Sequence, residues 1–197
     1  MQKHDNATWF FEKPSRGFHN AEAWWTSFFT IFAFYMARSG KGILLPVFKV
    51  NESNDLVPES SIDLSGMTYE NTVVDARLRK EVFGLPDWPN QFNDIKPDIT
   101  VLRSGASASV IFIEVKTIGT SVKRNALLYP ALREHMRSLG WESELYYLMS
   151  KGHEEITDWP VLRDTDSKIL RWEDIFAKTA GTPFENMLGE SLPTYTK

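Results

Sequence analysis

An α/β fold with a mixed central sheet flanked by helices is predicted for this 197-residue chain, and three observations predict it. An aromatic-rich helical pattern runs from Ala21 to Arg38. Two β-rich runs, Ile99 to Arg103 and Val110 to Lys116, are joined by the small residues Ser104 to Ser109, a hairpin signal. A second helical pattern from about Val122 to Leu139 is followed at once by the strand-like run Glu144 to Ser150. Such an order places long helices on the faces of a sheet.

Taken in order, residues 1 to 19 hold Trp9, Phe10, Phe11, Pro14 and Gly17 without a period and are expected to be an ordered arm. Asn20 is a good N-cap, and Ser39-Gly40 closes the first helix. On a helical wheel Trp24, Trp25, Phe28, Phe29, Ile31, Phe32, Tyr35 and Met36 fall on one side, and Ala23, Thr26, Ser27, Thr30, Ala33 and Ala37 on the other. The large face is expected against a sheet and the small face against another backbone. Gly42 to Val50 is apolar, but Pro46 demotes it to an edge strand or a loop. Residues 51 to 68 are polar and read as an inserted excursion. In Asn71 to Phe83, Val74, Leu78 and Val82 fit a helix period and the alternation with Ala76 fits a strand, which is preferred. The second helix should turn Leu127, Leu128, Leu132, Met136 and Leu139 inward, with Pro130 marking a kink or a late start. Lys168 to Arg171 fits a strand and Trp172 to Thr179 a short helix ended by Gly181, before a tail.

Composition sets limits. With 42% hydrophobic residues, a chain of this length buries about 70% of its unfolded surface, so it can hold a core without cross-links. The absence of Cys removes disulfide frameworks and thiolate zinc sites. The charge of -4, from 22 Lys and Arg against 26 Asp and Glu, argues against a broadly basic nucleic-acid coat protein but leaves room for a local basic groove. One domain spanning 1–197 is expected, with its core at about 20–150 and a C-terminal extension at 151–197. Met1 to Asn6 lacks a signal-peptide pattern, and the apolar run Ala23 to Ala37 is shorter than the about 20 residues of a membrane span. A soluble, cytoplasmic protein without a membrane partner is the expectation.

The chemistry gathers at the hairpin. Pro97-Asp98 opens one strand, and Ile113-Glu114-Val115-Lys116 closes the other. Residues two apart in a strand share a face, so Glu114 and Lys116 project together while Ile111, Ile113 and Val115 point to the opposite face. Depending on register, Asp98 faces Glu114 or Lys116. Two carboxylates held a few ångströms apart repel unless a cation lies between them. A hard divalent ion such as Mg²⁺, or Mn²⁺, removes that conflict, using one or two carboxylates, waters and phosphate oxygens. The Val115 carbonyl lies between the two charged residues and is a further candidate ligand. The competing reading is an ion pair at the end of a surface hairpin. Against it, Val110 to Ile113 is apolar on both faces, as a covered central strand would be.

Pro97-Asp98, fifteen intervening residues and Glu114-Val115-Lys116 at the end of an apolar strand resemble the PD-(D/E)xK nuclease superfamily. The resemblance implies a restriction-endonuclease-like core in the order αβββαβ, over about residues 20 to 150. It implies a metal-dependent nuclease hydrolysing phosphodiesters, with DNA as the expected substrate and RNA, or a non-cleaving nucleic-acid-binding or assembly subunit, as alternatives. Asp98 and Glu114 map to metal ligands and Lys116 to the catalytic lysine. A further acidic residue, carried by the first helix in many members, maps to Glu22, with Glu70 and Glu81 as alternatives. The helix after the motif strand holds Lys123, Arg124, Asn125 and Tyr129, without the Gln found in many members.

Lys123 and Arg124 are candidate phosphate contacts. Arg133 and Arg137, and the cluster Arg77, Arg79 and Lys80, could line a groove or be solvated surface. No Walker-type loop or G-x-S-x-G elbow is present. His4, His19, His135 and His153 are too scattered to form a zinc set. Cutting both strands of a duplex with one site per chain usually takes two copies, so a C2 homodimer is compatible with this reading.

Overall fold

The computed structural model describes residues 22–68, 70–74, 89–93, 95–103, 108–116, 122–150 and 159–185, with the side chains of residues 22, 23, 124 and 125 outside that description. Helix α1 is Glu22–Arg38, followed by β1 (Leu44–Val50), β2 (Leu56–Asp63) and β3 (Thr72–Val74). A 3-10 turn at Asn90–Phe92 precedes β4 (Ile99–Arg103) and β5 (Ala108–Val115). Then come α2 (Lys123–Ser138), β6 (Trp141–Met149), α3 (Trp159–Asp164), β7 (Lys168–Arg171) and α4 (Trp172–Thr179). The strands form one mixed sheet in the order β2-β1-β7-β6-β5-β4-β3. β5, β6 and β7 are parallel, and the other neighbours are antiparallel. Parallel β5 and β6 need a crossover, which α2 supplies. Among the described residues, no helix is long and apolar enough to cross a membrane.

The interior position of β5 follows from its residues. Ile111, Ile113 and Val115 join the core under α1 and α4, while Val110 and Phe112 join the core under α2 and α3. Apolar residues on both faces can all be buried only where both faces are covered. At the α1 face, Trp25 packs against Trp172 with ring centroids 5.1 Å apart, and Phe184 meets Phe28, Phe32 and Tyr35. The residues after 150 therefore supply a strand and part of the core.

Several sequence expectations change. Helix α1 does not divide into a large buried face and a small one. Thr26, Thr30 and Ala33 are buried beside Phe29 and Phe32, while Trp24, Ile31 and Tyr35 are only half-buried. The buried threonine Thr30 turns its hydroxyl inward, donating to the Thr26 carbonyl at 2.8 Å. On α2, Leu132 and Met136 are buried as expected, but Leu127 and Leu139 are exposed. Val122, Ala126 and Tyr129 complete the inner stripe, because this set keeps the three- and four-residue spacing of one helix face. Pro130 lies inside an uninterrupted helix.

Segment Gly42 to Val50 is neither edge nor loop: β1 lies between β2 and β7. Pro46 is tolerated because β1 meets β7 only at Phe48–Ile169, so no second ladder demands a Pro46 N–H. The polar excursion contains β2, paired with β1 along its length. Its exposure explains its composition: Pro58, Glu59, Ser60 and Ser61 all face solvent at the sheet edge. In the ambiguous segment Asn71 to Phe83, Thr72 to Val74 is strand, and residues 75–88 lie outside the described residues. Helix α3 falls in a stretch where the sequence predicts no element.

Candidate functional site

Strands β4 and β5 pair with Ile99 opposite Ile113 and Thr100 opposite Phe112. One step further along that register, Asp98 comes opposite Glu114, the first of the two arrangements the sequence allowed. The buried Pro97 leads into the strand, and Asp98 is half-buried at its entry. Its Oδ2 accepts a hydrogen bond from the Val115 N–H at 2.8 Å. The Asp98 side chain thus takes over where the β4 backbone ladder ends.

The N–H and C=O of one strand residue point to the same edge, and those of the next residue point to the other. The Lys116 N–H donates to the Leu148 carbonyl on β6 at 2.9 Å, so Val115 presents its N–H and C=O to the β4 side, where Asp98 sits. This places the Val115 carbonyl on the carboxylate side of the strand end.

Glu114 projects to the α2 face with Phe112. It is only 3% exposed, and Lys116 only 9%. The Lys116 Nζ lies 3.4 Å from Glu114 Oε2. Taking two charges out of water costs several kcal/mol each, so the pair is not explained as a surface ion pair capping a hairpin. In the sheet Glu114 is beside Tyr147, a fully buried side chain whose hydroxyl reaches the Val122 carbonyl at 3.5 Å. That contact ties the start of α2 to the row of Glu114.

The other sequence candidates divide. Lys123 is exposed in the first turn of α2, whose start the Tyr147–Val122 contact ties to the row of Glu114; Arg124 shares that turn, its side chain outside the described residues. The first turn of α1, with Glu22, is brought toward the carboxyl ends of the parallel strands by the Trp25–Trp172 contact; the Glu22 side chain is likewise outside the description. Glu70 is removed from the site. It precedes Asn71, whose carbonyl accepts from Leu102, so it lies at the opposite end of β4 from Asp98. Glu81, Arg77, Arg79, Lys80, His4, His19 and His153 lie outside the described residues.

Arg133 and Arg137 do not line the site. They pair with Asp166 at 3.4 Å and Glu134 at 2.6 Å further along α2. Tyr129 is core, its hydroxyl pushed well above its usual range by burial, with Ser143 and Arg133 opposing the shift. His135 packs near the Phe92 ring, with centroids 5.5 Å apart.

Among the described residues no group of three or more His, Asp or Glu side chains gathers to hold a metal. The residues that could hold one are Asp98 and Glu114, on facing strand positions, with the Val115 carbonyl on the same side as Asp98. That fits a hard oxygen-seeking ion that retains waters, since Mg²⁺ commonly uses one or two carboxylates. It does not fit zinc, which favours nitrogen and sulfur ligands.

Sequence reasoning missed one basic residue near this row. Leu148 is beside Val115 and Leu170 beside Leu148, so the next row across the parallel strands is Lys116, Met149 and Arg171. Only the strand order brings Arg171 there. No family model matches the chain, and neither a curated protein nor a solved structure matches it.

Proposed function

We propose that the chain is a metal-dependent nuclease of the PD-(D/E)xK type that hydrolyses phosphodiester bonds, with DNA as the preferred substrate. One arrangement supports the reading: Asp98 stands one register step beyond the Ile99–Ile113 pair, opposite Glu114, and Lys116 is buried against Glu114 at the carboxyl end of a strand covered on both faces. The order α1, β3, β4, β5, α2, β6, with two antiparallel pairings followed by a parallel one, supports a restriction-endonuclease-like core. The hairpin of β1 and β2 is an addition to that core.

In this reading Asp98 and Glu114 hold Mg²⁺ or Mn²⁺, with the Val115 carbonyl as a further ligand. The ion, when bound, supplies Lewis-acid polarisation of the phosphodiester and lowers the pKa of water. The Val115 N–H holds one oxygen of Asp98 and so orients that carboxylate. The Lys116 ammonium offsets phosphate charge and positions the attacking water by hydrogen bonding. Lys123 contributes positive charge to the mouth of the site. Hydrolysis adds water across one P–O bond, leaving a phosphate and a hydroxyl.

The near-complete burial of Glu114 and Lys116 favours a second reading, a nucleic-acid-binding or assembly subunit that keeps the fold and does not cut. Incubating DNA or RNA with wild type, Asp98→Asn and Lys116→Met, with and without Mg²⁺, separates the two. Metal-dependent cleavage by wild type that both variants lose supports the nuclease. Binding without cleavage under any divalent ion supports the second reading.

A further inference from the structure

The row Lys116, Met149, Arg171 extends the candidate site across the ends of the three parallel strands. The three residues lie on the α2 face, because Phe112 and Glu114 on β5, Tyr147 and Met149 on β6, and Ile169 on β7 alternate to that side. Ligands of open α/β sheets bind outside the carboxyl ends of such strands. Neighbouring strands are spaced by about 4.8 Å, so the Lys116 and Arg171 backbones are about 10 Å apart. At about 3.4 Å of helix axis per nucleotide, this corresponds to a few nucleotides of one strand.

Arg171 is anchored by an aromatic side chain of the neighbouring strand β1. Its guanidinium carbon lies 4.4 Å from the centroid of the Phe48 ring, a cation–π contact that holds the charged group against the aromatic ring. The Arg171 Nε is buried, so an arriving phosphate would meet the terminal nitrogens, a pair of donors that can bind phosphate in a bidentate way. Arg171 is half-buried rather than enclosed. Its charge also faces Asp174 in the first turn of α4, whose carboxyl is pushed up by burial and held back by Arg171. A phosphate arriving at Arg171 would share it with that carboxyl.

We propose that Arg171 is a phosphate-binding residue of the same site, holding a backbone phosphate that flanks the one placed at Asp98, Glu114 and Lys116. The proposal rests on the nuclease reading, and it makes Arg171 a positioning residue rather than a participant in bond cleavage.

The test uses the full chain, a fluorescent DNA oligonucleotide and, separately, an RNA of the same sequence. Binding anisotropy is measured in EDTA across a KCl series, and kcat and KM are measured with Mg²⁺. Arg171→Met keeps apolar volume over Phe48, and Arg171→Lys keeps the charge. Arg171→Met should weaken binding about tenfold and reduce the slope of log affinity against log salt by about 0.7–0.9, the release of counterions from one phosphate. KM should rise about tenfold with kcat within about twofold, and Arg171→Lys should recover the salt slope. Wild-type affinity and slope in Arg171→Met overturn the proposal, as does a fall in thermal stability with binding unchanged. If wild type cuts and Arg171→Met cuts identically, only this inference fails. If wild type neither binds nor cuts nucleic acid, the nuclease reading fails and takes the inference with it.

Discussion

Replacing Lys116 by Met removes the ammonium from a pair whose members are 9% and 3% exposed, and leaves the Glu114 carboxylate buried beside an apolar side chain. At the observed 3.4 Å, and with an effective dielectric of about 20, the pair attracts by about 5 kcal/mol. Desolvating the two ions costs several kcal/mol each, so the intact pair contributes close to nothing net. Losing one partner is different, because the cost of burying the other remains. Lys116→Met and Glu114→Gln should therefore each destabilise by about 3–5 kcal/mol, while the double variant lies within about 1–2 kcal/mol of wild type. Urea unfolding at neutral pH, analysed as a double-mutant cycle, measures this. Single costs below about 1 kcal/mol that simply add would refute the argument. Mg²⁺ offers a second readout that does not depend on activity. On the proposed reading, in which Asp98 and Glu114 hold a divalent ion, its addition to Lys116→Met should raise the unfolding midpoint, and Asp98→Asn should abolish that rise.

Three further outcomes follow from particular residues. Asp98→Asn retains an oxygen that accepts the Val115 N–H, so stability should change by less than about 1 kcal/mol, and on the proposed nuclease reading metal-dependent cleavage should be lost. Asp98→Ala, which removes that charge-assisted bond as well, should cost about 1.5–3 kcal/mol in denaturant unfolding. At Glu144 burial alone would raise the carboxyl pKa, but hydrogen bonds from Lys168 and Tyr146 hold it below the ordinary 4.5. A depressed folded-state pKa gives stability that is present above 4.5 and lost as pH falls through the lower folded value. Glu144→Gln should flatten the acid limb of a stability–pH curve in that window. Gly140, at φ +82 with nothing within 4 Å of an added Cβ, pays for Ala only in backbone strain, about 1–2 kcal/mol by thermal or urea unfolding.

How much was readable before the tertiary structure depended on whether the information was local. The first helix, the hairpin, the second helix and the strand after it are visible because each carries its own period and its own stop signal, such as Gly40 and Gly140, both in the left-handed region. The carboxylate pair was readable for the same reason. Side-chain alternation along a strand and a short hairpin leave only two registers to choose between. The pairing of Ile99 with Ile113 selects the one that sets Asp98 against Glu114. Where burial is decided by what lies across the molecule, the pattern misled. Leu127 looks like core yet is exposed, and Thr26 and Thr30, which the pattern sets on a small face apart from the aromatic one, are buried beside Phe29 and Phe32. β2 looks like a polar insertion because one edge of the sheet has to face water.

The sequence by itself therefore determined the α/β class, a central, doubly covered strand read as Val110 to Lys116 and found as Ala108–Val115, and the presence of an acidic pair with a lysine two residues beyond, because these follow from spacing along one chain. Only the tertiary structure decided that Lys116 is buried against Glu114, that Glu70 lies at the wrong end of the sheet and that Arg171 stands in the same row as Lys116. Strand order is a property of contacts between distant segments, and hydrophobic periodicity carries no record of which strand a given segment will choose as its neighbour.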